Sequence, residues 1–168
     1  MIRKIGLVTS PRHERGVICR ADEQFSPSPV FRRARDYCQR YFDEWYIVSV
    51  RRGLLAPGQV IGPGELALLG LAPDERHRWA ASIVDALRQR MERSREPVSF
   101  VLFSSQRCAE LLLRTGQCLS IEVPLNGSGL RERISWYDER LRTESRILPA
   151  IKPAVAKLDR ALLAIPIR

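Results

Sequence analysis

Two patterns of apolar residues alternate along this chain, and together they predict a sheet covered by helices. Short apolar runs recur at residues 5–9, 45–50, 98–103 and 119–125. Runs of this length, rich in Val, Ile and aromatic residues, are typical of strands buried on both faces. Between the runs, apolar residues recur every three or four positions, which is the spacing of one helix face.

Boundary signals place the helices. Ser28 before Pro29 suits the cap and the first position of a helix that ends near Phe42. Further helices are predicted from Pro73 to about Ser94, from Gln106 to Arg114, and after the glycine turn at 126–129 through Leu141. An amphipathic helix over 154–165 is expected to pack on the core or on a second copy of the chain.

These elements predict a single three-layer α/β domain. Its central sheet, parallel or mixed, is expected to have about four to five strands with helices on both faces. We assign residues 1–146 to this domain and residues 147–168 to a C-terminal helix that packs on it. The segment from Arg12 to Ser28 is expected to be an irregular polar loop.

Polar loops follow three of the predicted strands, at Ser10–Arg15, Ser49–Glu65 and Asn126–Gly129. The middle loop is the most marked, because the apolar strand stops at two arginines and a glycine and is followed by proline and glycine turns. Ligands of open α/β sheets bind beyond the carboxyl ends of parallel strands. We therefore expect the three loops to meet at one edge of the sheet and to form the functional site there.

The charge balance indicates a polyanionic partner. Lys and Arg outnumber Asp and Glu by 28 to 19, which gives a net charge of +9, and only Lys4, Lys152 and Lys157 are lysines. Arginine matches phosphate through planar, bidentate donors, so DNA or RNA is the expected partner. The alternative is a high-GC genome that encodes arginine on an ordinary solvated surface.

Other classes of protein do not fit the sequence. No apolar run approaches the ~20 residues that cross a bilayer, and the first residues lead into a strand, so we expect a cytoplasmic protein without membrane contact. The cysteines are dispersed, at positions 19, 38, 108 and 118, and only two histidines are present. No disulfide framework, metal site or cofactor is therefore expected.

The stretch WYIVSVRRGLLAPGQVIGPGEL, residues 45–66, resembles the signature of a small bacterial and phage family. Members of that family read roughly WYILSAKYGLLDPDxVIxPYD, and the family is distantly similar to the peroxide-stress protein YaaA. The segments LVTS, SPVFRRAR and VPLNGSGLRERISWY agree with it, so the resemblance covers roughly residues 5–137.

This chain departs from the family signature at several positions. Arg51 replaces the usual lysine, Arg52 an aromatic residue, Ala56 the first aspartate, and Gly64-Glu65 the pair Tyr-Asp. The cysteine and lysine that usually follow the first strand are also missing, and residues 11–15 stand in their place.

The resemblance implies work on nucleic acid or nucleobases, as in the DpdC-type proteins of deazaguanine DNA modification. Those proteins convert a cyano-deazaguanine base (preQ0) in DNA to its amide by adding water to the nitrile. On this interpretation the chain is a DNA deazaguanine nitrile hydratase that works with other proteins of a DNA-modification system. Hydration without a metal needs a thiol that adds to carbon or a general base that activates water.

Candidate residues for this chemistry lie around the predicted edge. Glu65, in the position of the family's acidic residue, is the candidate base, and Cys19 is the candidate thiol. Ser49 and Arg51 are expected to orient the base or donate to developing charge. The expected contacts with substrate or nucleic acid are Ser10, Arg12, His13, Arg15, Arg32, Arg33, Arg52, Asn126 and Ser128.

Each candidate also has a structural interpretation. Glu65 would cap a helix, Ser49 would satisfy backbone groups, Cys19 would be an inert loop residue, and the arginines would form a solvated face. Trp45, Tyr46 and Trp136 are candidates for stacking on an extruded base, but their apolar surroundings favour the core.

Two other functions stay open at this point. One is a non-enzymatic DNA- or RNA-binding protein of the YaaA-like stress type, for which the arginine surface suffices. The other is a hydrolase or glycosidase that acts on free nucleosides or nucleotides. A monomer and a homodimer are both compatible with the sequence.

Overall fold

The computed structural model describes residues 2–142, in which a central sheet lies between two layers of helices. The strands are β1 (Arg3–Thr9), β2 (Cys19–Arg20), β3 (Glu44–Ser49), β4 (Gly53–Leu55), β5 (Val60–Ile61), β6 (Val98–Phe103) and β7 (Ile121–Glu122). The helices are α1 (Ala21–Gln24), α2 (Pro29–Tyr41), α3 (Pro73–Arg93), α4 (Gln106–Thr115) and α5 (130–142).

Five strands form the central sheet in the order β4-β3-β1-β6-β7. Strands β1, β3, β6 and β7 run parallel, and β4 pairs antiparallel with β3. Val8 lies opposite both Ile47 and Phe103, so three parallel strands end at nearly the same level. A separate antiparallel ribbon of β2 and β5 joins the segment after β1 to the loop after β4.

Each face of the sheet has its own apolar core. Leu7 and Phe100 belong to the core under α3 and α4, whereas Val8 and Phe103 belong to the core under α2 and α5. Successive strand residues point to opposite faces. Because helices cover both faces, the central strands are apolar throughout rather than alternating.

Gly6 allows α2 to pack closely on β1. A Cβ atom at this position would lie 3.0 Å from the Sγ of Cys38 and 3.1 Å from the Cβ of Trp45. Contacts this short are tighter than almost all contacts of real Cβ atoms, so the neighbouring side chains would have to shift. Gly6 therefore sets how closely Cys38 of α2 approaches β1.

The predicted fold class is confirmed, because the sheet is mixed and has helices on both faces. The cap prediction is also confirmed, since the Oγ of Ser28 accepts a hydrogen bond from the Phe31 N–H at 3.3 Å. The long helix begins at Pro73 as expected and ends at Arg93.

Two local predictions are wrong, and one strand was not predicted. The segment 12–28 is not irregular throughout, because it contains β2 and α1. The strand expected over 119–125 is only the two residues of β7, since Pro124 offers no N–H to a ladder. Strand β4 was not predicted, because it is short and begins at Gly53, whose positive φ of 74° forms the tight turn after β3.

The predicted C-terminal helix over 154–165, and the segment 147–168 assigned to it, lie outside the described residues. Within residues 2–142, none of the helices is both long enough and apolar enough to cross a bilayer.

Candidate functional site

The strand order creates a switch point between β1 and β6. The chain leaves β1 through α2 to reach β3 on one side of β1, and α3 then carries it to β6 on the other side. At such a point the connections diverge and leave a crevice beyond the carboxyl ends of the strands. The loop that begins at Ser10 and the short loop Ser104-Ser105 border this crevice.

A cavity of about 530 Å³ occupies this position, and we call it the switch-point cavity. Val48, Val50, Leu68 and Trp79 form an apolar part of its wall. Polar side chains complete the wall: Thr9, Ser10, Arg12, Ser105, Gln106 and Arg107. Apolar surface with a few polar groups, in a cleft of this size, is typical of a small-molecule or nucleotide site.

Arg12 and Arg107 give the switch-point cavity a positive rim, and both are exposed. Neither side chain makes a hydrogen bond or an ion pair within residues 2–142. Many other arginines are paired with carboxylates, including Arg3, Arg20, Arg33, Arg78, Arg88 and Arg90. The two guanidinium groups at the cavity are therefore available to bind an anion, and phosphate matches their planar geometry.

The loop after β3 is held by the carboxylate of Glu65, which is completely buried. It accepts hydrogen bonds from the Ser49 Oγ at 2.6 Å and from the N–H groups of Arg51 and Leu66, each at 2.9 Å. A nitrogen of the Arg52 guanidinium lies 3.9 Å away as its ion partner. The predicted cluster of these residues is therefore present in the structure.

The geometry of Glu65 is that of a residue that positions a loop. A general base must reach the proton that it abstracts, directly or through one water. Glu65 does not line the switch-point cavity, and its carboxylate is occupied by donors from Ser49 and from its own loop. Its role as a base stays a prediction, and the described contacts favour a structural role.

Glu14 ties the loop after β1 to the loop after β3. Its carboxylate accepts hydrogen bonds from the N–H groups of Gly64, at 2.5 Å, and of Glu65, at 3.2 Å. This contact fixes the segment that carries Arg12 against the Glu65 loop. No sequence motif marks Glu14, and its role follows from the structure alone.

The thiols are arranged differently from the prediction. Cys19 lies in β2, where its Sγ donates to the Oε1 of Gln24 at 2.8 Å, and it does not line the switch-point cavity. Cys108 lines the cavity from the core under α3 and α4, where it is only 5% exposed. Burial raises the pKa of Cys108 to about 12, so this group is a thiol at neutral pH rather than a nucleophilic thiolate.

Other predicted binding residues are engaged elsewhere. The guanidinium of Arg33 pairs with Asp138 at 2.6 Å, and Arg32 donates to the carbonyl oxygen of Ser26 at 2.8 Å. Arg15 lies 3.7 Å from Glu23. These three arginines therefore already have partners within the protein, and their expected role in binding stays a prediction.

The remaining candidates lie outside the cavity wall. Asn126 and Ser128 follow β7, which β6 separates from β1, so their turn is one strand away from the switch point. His13 is exposed and does not line the switch-point cavity. Within residues 2–142, no three His, Cys, Asp and Glu side chains are grouped to hold a metal ion.

Two of the aromatic candidates for base stacking belong to the core, and the third, Trp136, is partly buried against it. Trp45 and Tyr46 are only 8% and 6% exposed. Trp136 packs with Tyr37 at a ring distance of 5.0 Å and with Tyr137 at 5.2 Å. The core interpretation of Trp45 and Tyr46 is confirmed, and the aromatic ring that contributes to the cavity wall is that of Trp79.

Sequence reasoning missed Ser105, Gln106 and Arg107, which follow β6. A polar turn directly after an apolar strand was present there, as it is after β1 and β3. Serines before a helix usually act as caps, yet the Ser105 side chain makes no cap hydrogen bond. This turn reaches the cavity because β6 lies next to β1 in the sheet, and the order of the strands cannot be inferred from the sequence.

The fold and the site define a doubly wound α/β domain with a cavity at its switch point that two arginines border. Residues 5–139 match DUF6884, which is described as a family of unknown function, and the chain therefore belongs to this family. No curated protein matches the chain significantly, and no solved structure does.

Proposed function

We propose that this protein binds nucleic acid and holds one nucleotide at the switch-point cavity. The phosphate lies between Arg12 and Arg107, and the base lies against the apolar wall. The observation that carries this proposal is the presence of two guanidinium groups without partners, in residues 2–142, beside an apolar cavity at the switch point.

The charge of the protein supports a phosphate ligand. The net charge is +9, so approach of a polyanion is favoured from a distance. Contact with Arg12 and Arg107 replaces counterions of the nucleic acid, which supplies affinity that depends on salt. Arginine suits this role because its donors form a fixed fork that matches two phosphate oxygens.

The wall of the cavity supports a base as well as a phosphate. A site for phosphate alone has no need of apolar surface, whereas Val50, Leu66 and Leu69 offer apolar surface on which a base can pack. The hydroxyl group of Ser105 is suited to hydrogen bonds with a base edge, and that of Ser10, which donates to the carbonyl oxygen of Val48 at 3.3 Å, is suited to accept one.

Removal of both rim arginines tests the proposal. We expect the double variant Arg12→Ala, Arg107→Ala to bind a single-stranded oligonucleotide at least about tenfold more weakly than the parent protein. The slope of log K against log salt is expected to fall by about 1.4, because two phosphate contacts with a single strand are lost. Fluorescence anisotropy at several salt concentrations measures both quantities.

A matched control separates the effect of the cavity arginines from the effect of lowering the net charge. Arg93 and Arg95 precede β6 and lie toward the opposite edge of the sheet, and neither makes an ion pair within residues 2–142. Arg93→Ala, Arg95→Ala removes the same charge, and we expect it to keep the affinity within about twofold. Equal losses in the two double variants would show that only net charge matters.

Base modification is the second proposal, and it rests on the resemblance to deazaguanine DNA modification. The reaction adds the oxygen and both hydrogens of one water across the nitrile of preQ0 and gives the amide. The cavity suits a base, but no carboxylate belongs to its wall as described for residues 2–142. A hydratase mechanism therefore requires Glu65 to leave its loop or a base that the substrate or a partner protein supplies.

Mass spectrometry tests this second proposal. Purified protein is incubated with DNA that carries preQ0, and the DNA is digested to nucleosides. A hydratase gives a product heavier by one water, and the product is lost in Glu65→Gln if Glu65 is the base. No mass change, while the DNA is still bound, would contradict the hydratase proposal and leave the binding proposal intact.

A further inference from the structure

A second cavity, of about 630 Å³, adjoins the switch-point cavity. The two share three wall residues, Leu68, Leu69 and Arg107. The second cavity lies between α3, which contributes Arg76, and α4, which contributes Arg114. We call it the α3–α4 groove.

The α3–α4 groove has an excess of positive charge that the protein does not neutralise. The side chains of Arg76, Arg107 and Arg114 make no ion pair within residues 2–142. The Nε of Arg76 is buried and has no hydrogen-bond partner among these residues. Glu110, the carboxylate of the groove wall, accepts a hydrogen bond from Gln106 at 2.9 Å.

We propose that the α3–α4 groove binds phosphates of the nucleotides next to the one in the switch-point cavity. This inference rests on the proposed function, and it specifies that the ligand is a strand rather than a free nucleotide. A positively charged groove is the part of a single-strand site that follows the phosphate backbone.

The shared wall favours one continuous ligand over two separate ones. Arg107 belongs to both cavities, so a phosphate bound there lies between a nucleotide in the switch-point cavity and the next phosphate in the groove. Arg76 and Arg114 stand on the two helices that border the groove. A strand that leaves the switch-point cavity past Arg107 therefore meets cations on both sides.

The test compares a strand with a mononucleotide. The probes are a single-stranded oligonucleotide of roughly 12 nucleotides and a nucleoside 5′-monophosphate. For Arg76→Ala, Arg114→Ala, we expect about tenfold weaker binding of the strand and no change in mononucleotide binding. Anisotropy measures the strand, and NMR shift titration measures the mononucleotide.

Each outcome decides between the alternatives. An equal loss for both probes, or no loss for the strand, overturns the groove proposal. Suppose that the groove proposal is overturned but Arg12→Ala, Arg107→Ala still weakens the binding of both probes: the proposed function then stands without the groove. If that double variant also has no effect, the groove proposal and the proposed function both fail.

A single variant repeats the test without disturbing a buried group. The Nε of Arg76 is buried, whereas Arg114 is exposed. For Arg114→Ala we expect about threefold weaker binding of the strand and no change in mononucleotide binding.

Discussion

Replacing Glu65 by alanine is expected to lower the free energy of unfolding by about 3 kcal/mol. Removing one member of a buried ion pair typically costs about 3–5 kcal/mol, because the other charge is left without compensation. The lower figure applies because the Arg52 side chain is 19% exposed and keeps some contact with water. The Oγ of Ser49 and the N–H groups of Arg51 and Leu66 also lose their acceptor.

Urea unfolding followed by tryptophan fluorescence measures this effect. The indole of Trp79 is a suitable reporter, because its Nε1 donates to the carbonyl oxygen of Ser49 at 3.0 Å. Glu65→Gln keeps the size of the side chain and one acceptor oxygen, so a smaller loss of about 1–2 kcal/mol is expected. The exposed Glu110→Ala serves as the control and is expected to change stability by no more than about 0.5 kcal/mol.

A loss below about 1 kcal/mol for Glu65→Ala would show that the loop does not depend on this carboxylate. That result would also revive the proposal that Glu65 acts as a general base, since a catalytic group is often dispensable for stability. If Glu65 positions the loop, Glu65→Ala lowers stability strongly. If Glu65 is a general base, the same variant abolishes turnover and changes stability little.

Phe103→Ala is expected to have an effect of similar or greater size, about 3–5 kcal/mol. Phe103 is only 2% exposed at the end of β6, and its ring lies 5.5 Å from that of Tyr37 and 5.8 Å from that of Tyr137. Truncation leaves a cavity between the sheet and two helices, and it removes the aromatic contacts as well.

The matched variant for this position is Phe103→Leu. It keeps most of the apolar volume, so a loss of about 1–2 kcal/mol is expected in the same urea experiment. If both variants lost the same free energy, the filled volume would not be the cause, and the aromatic contacts alone would have to explain the stability.

Much of the fold was predictable, because apolar runs and helix caps in the sequence coincide with the strands and helices of the structure. Val98–Phe103 is apolar at every position except Ser99, and it forms a strand with exactly these bounds since helices cover both faces. Ser28 and Pro29 fix the start of α2 through a cap and a preset φ. These signals depend only on neighbours in the sequence.

The candidate site was predictable only in part. Glu65, Ser49 and Arg51 cluster as expected because they belong to one loop and the strand that leads into it. Arg107 was missed because its position beside β1 depends on the strand order, which results from long-range packing. Cys19 was misplaced for a similar reason, since its neighbours are set by the pairing of β2 with β5.

Because of the strand order, the switch-point cavity forms only when distant segments of the chain have folded together. Thr9, Val48, Leu68 and Gln106 are far apart in the chain but belong to one cavity wall, so no short fragment carries the whole site. Such non-local contacts form late and slowly in folding. A ligand that binds only the completed wall stabilises the native state by mass action, and its concentration becomes a direct control on how much of the chain is folded.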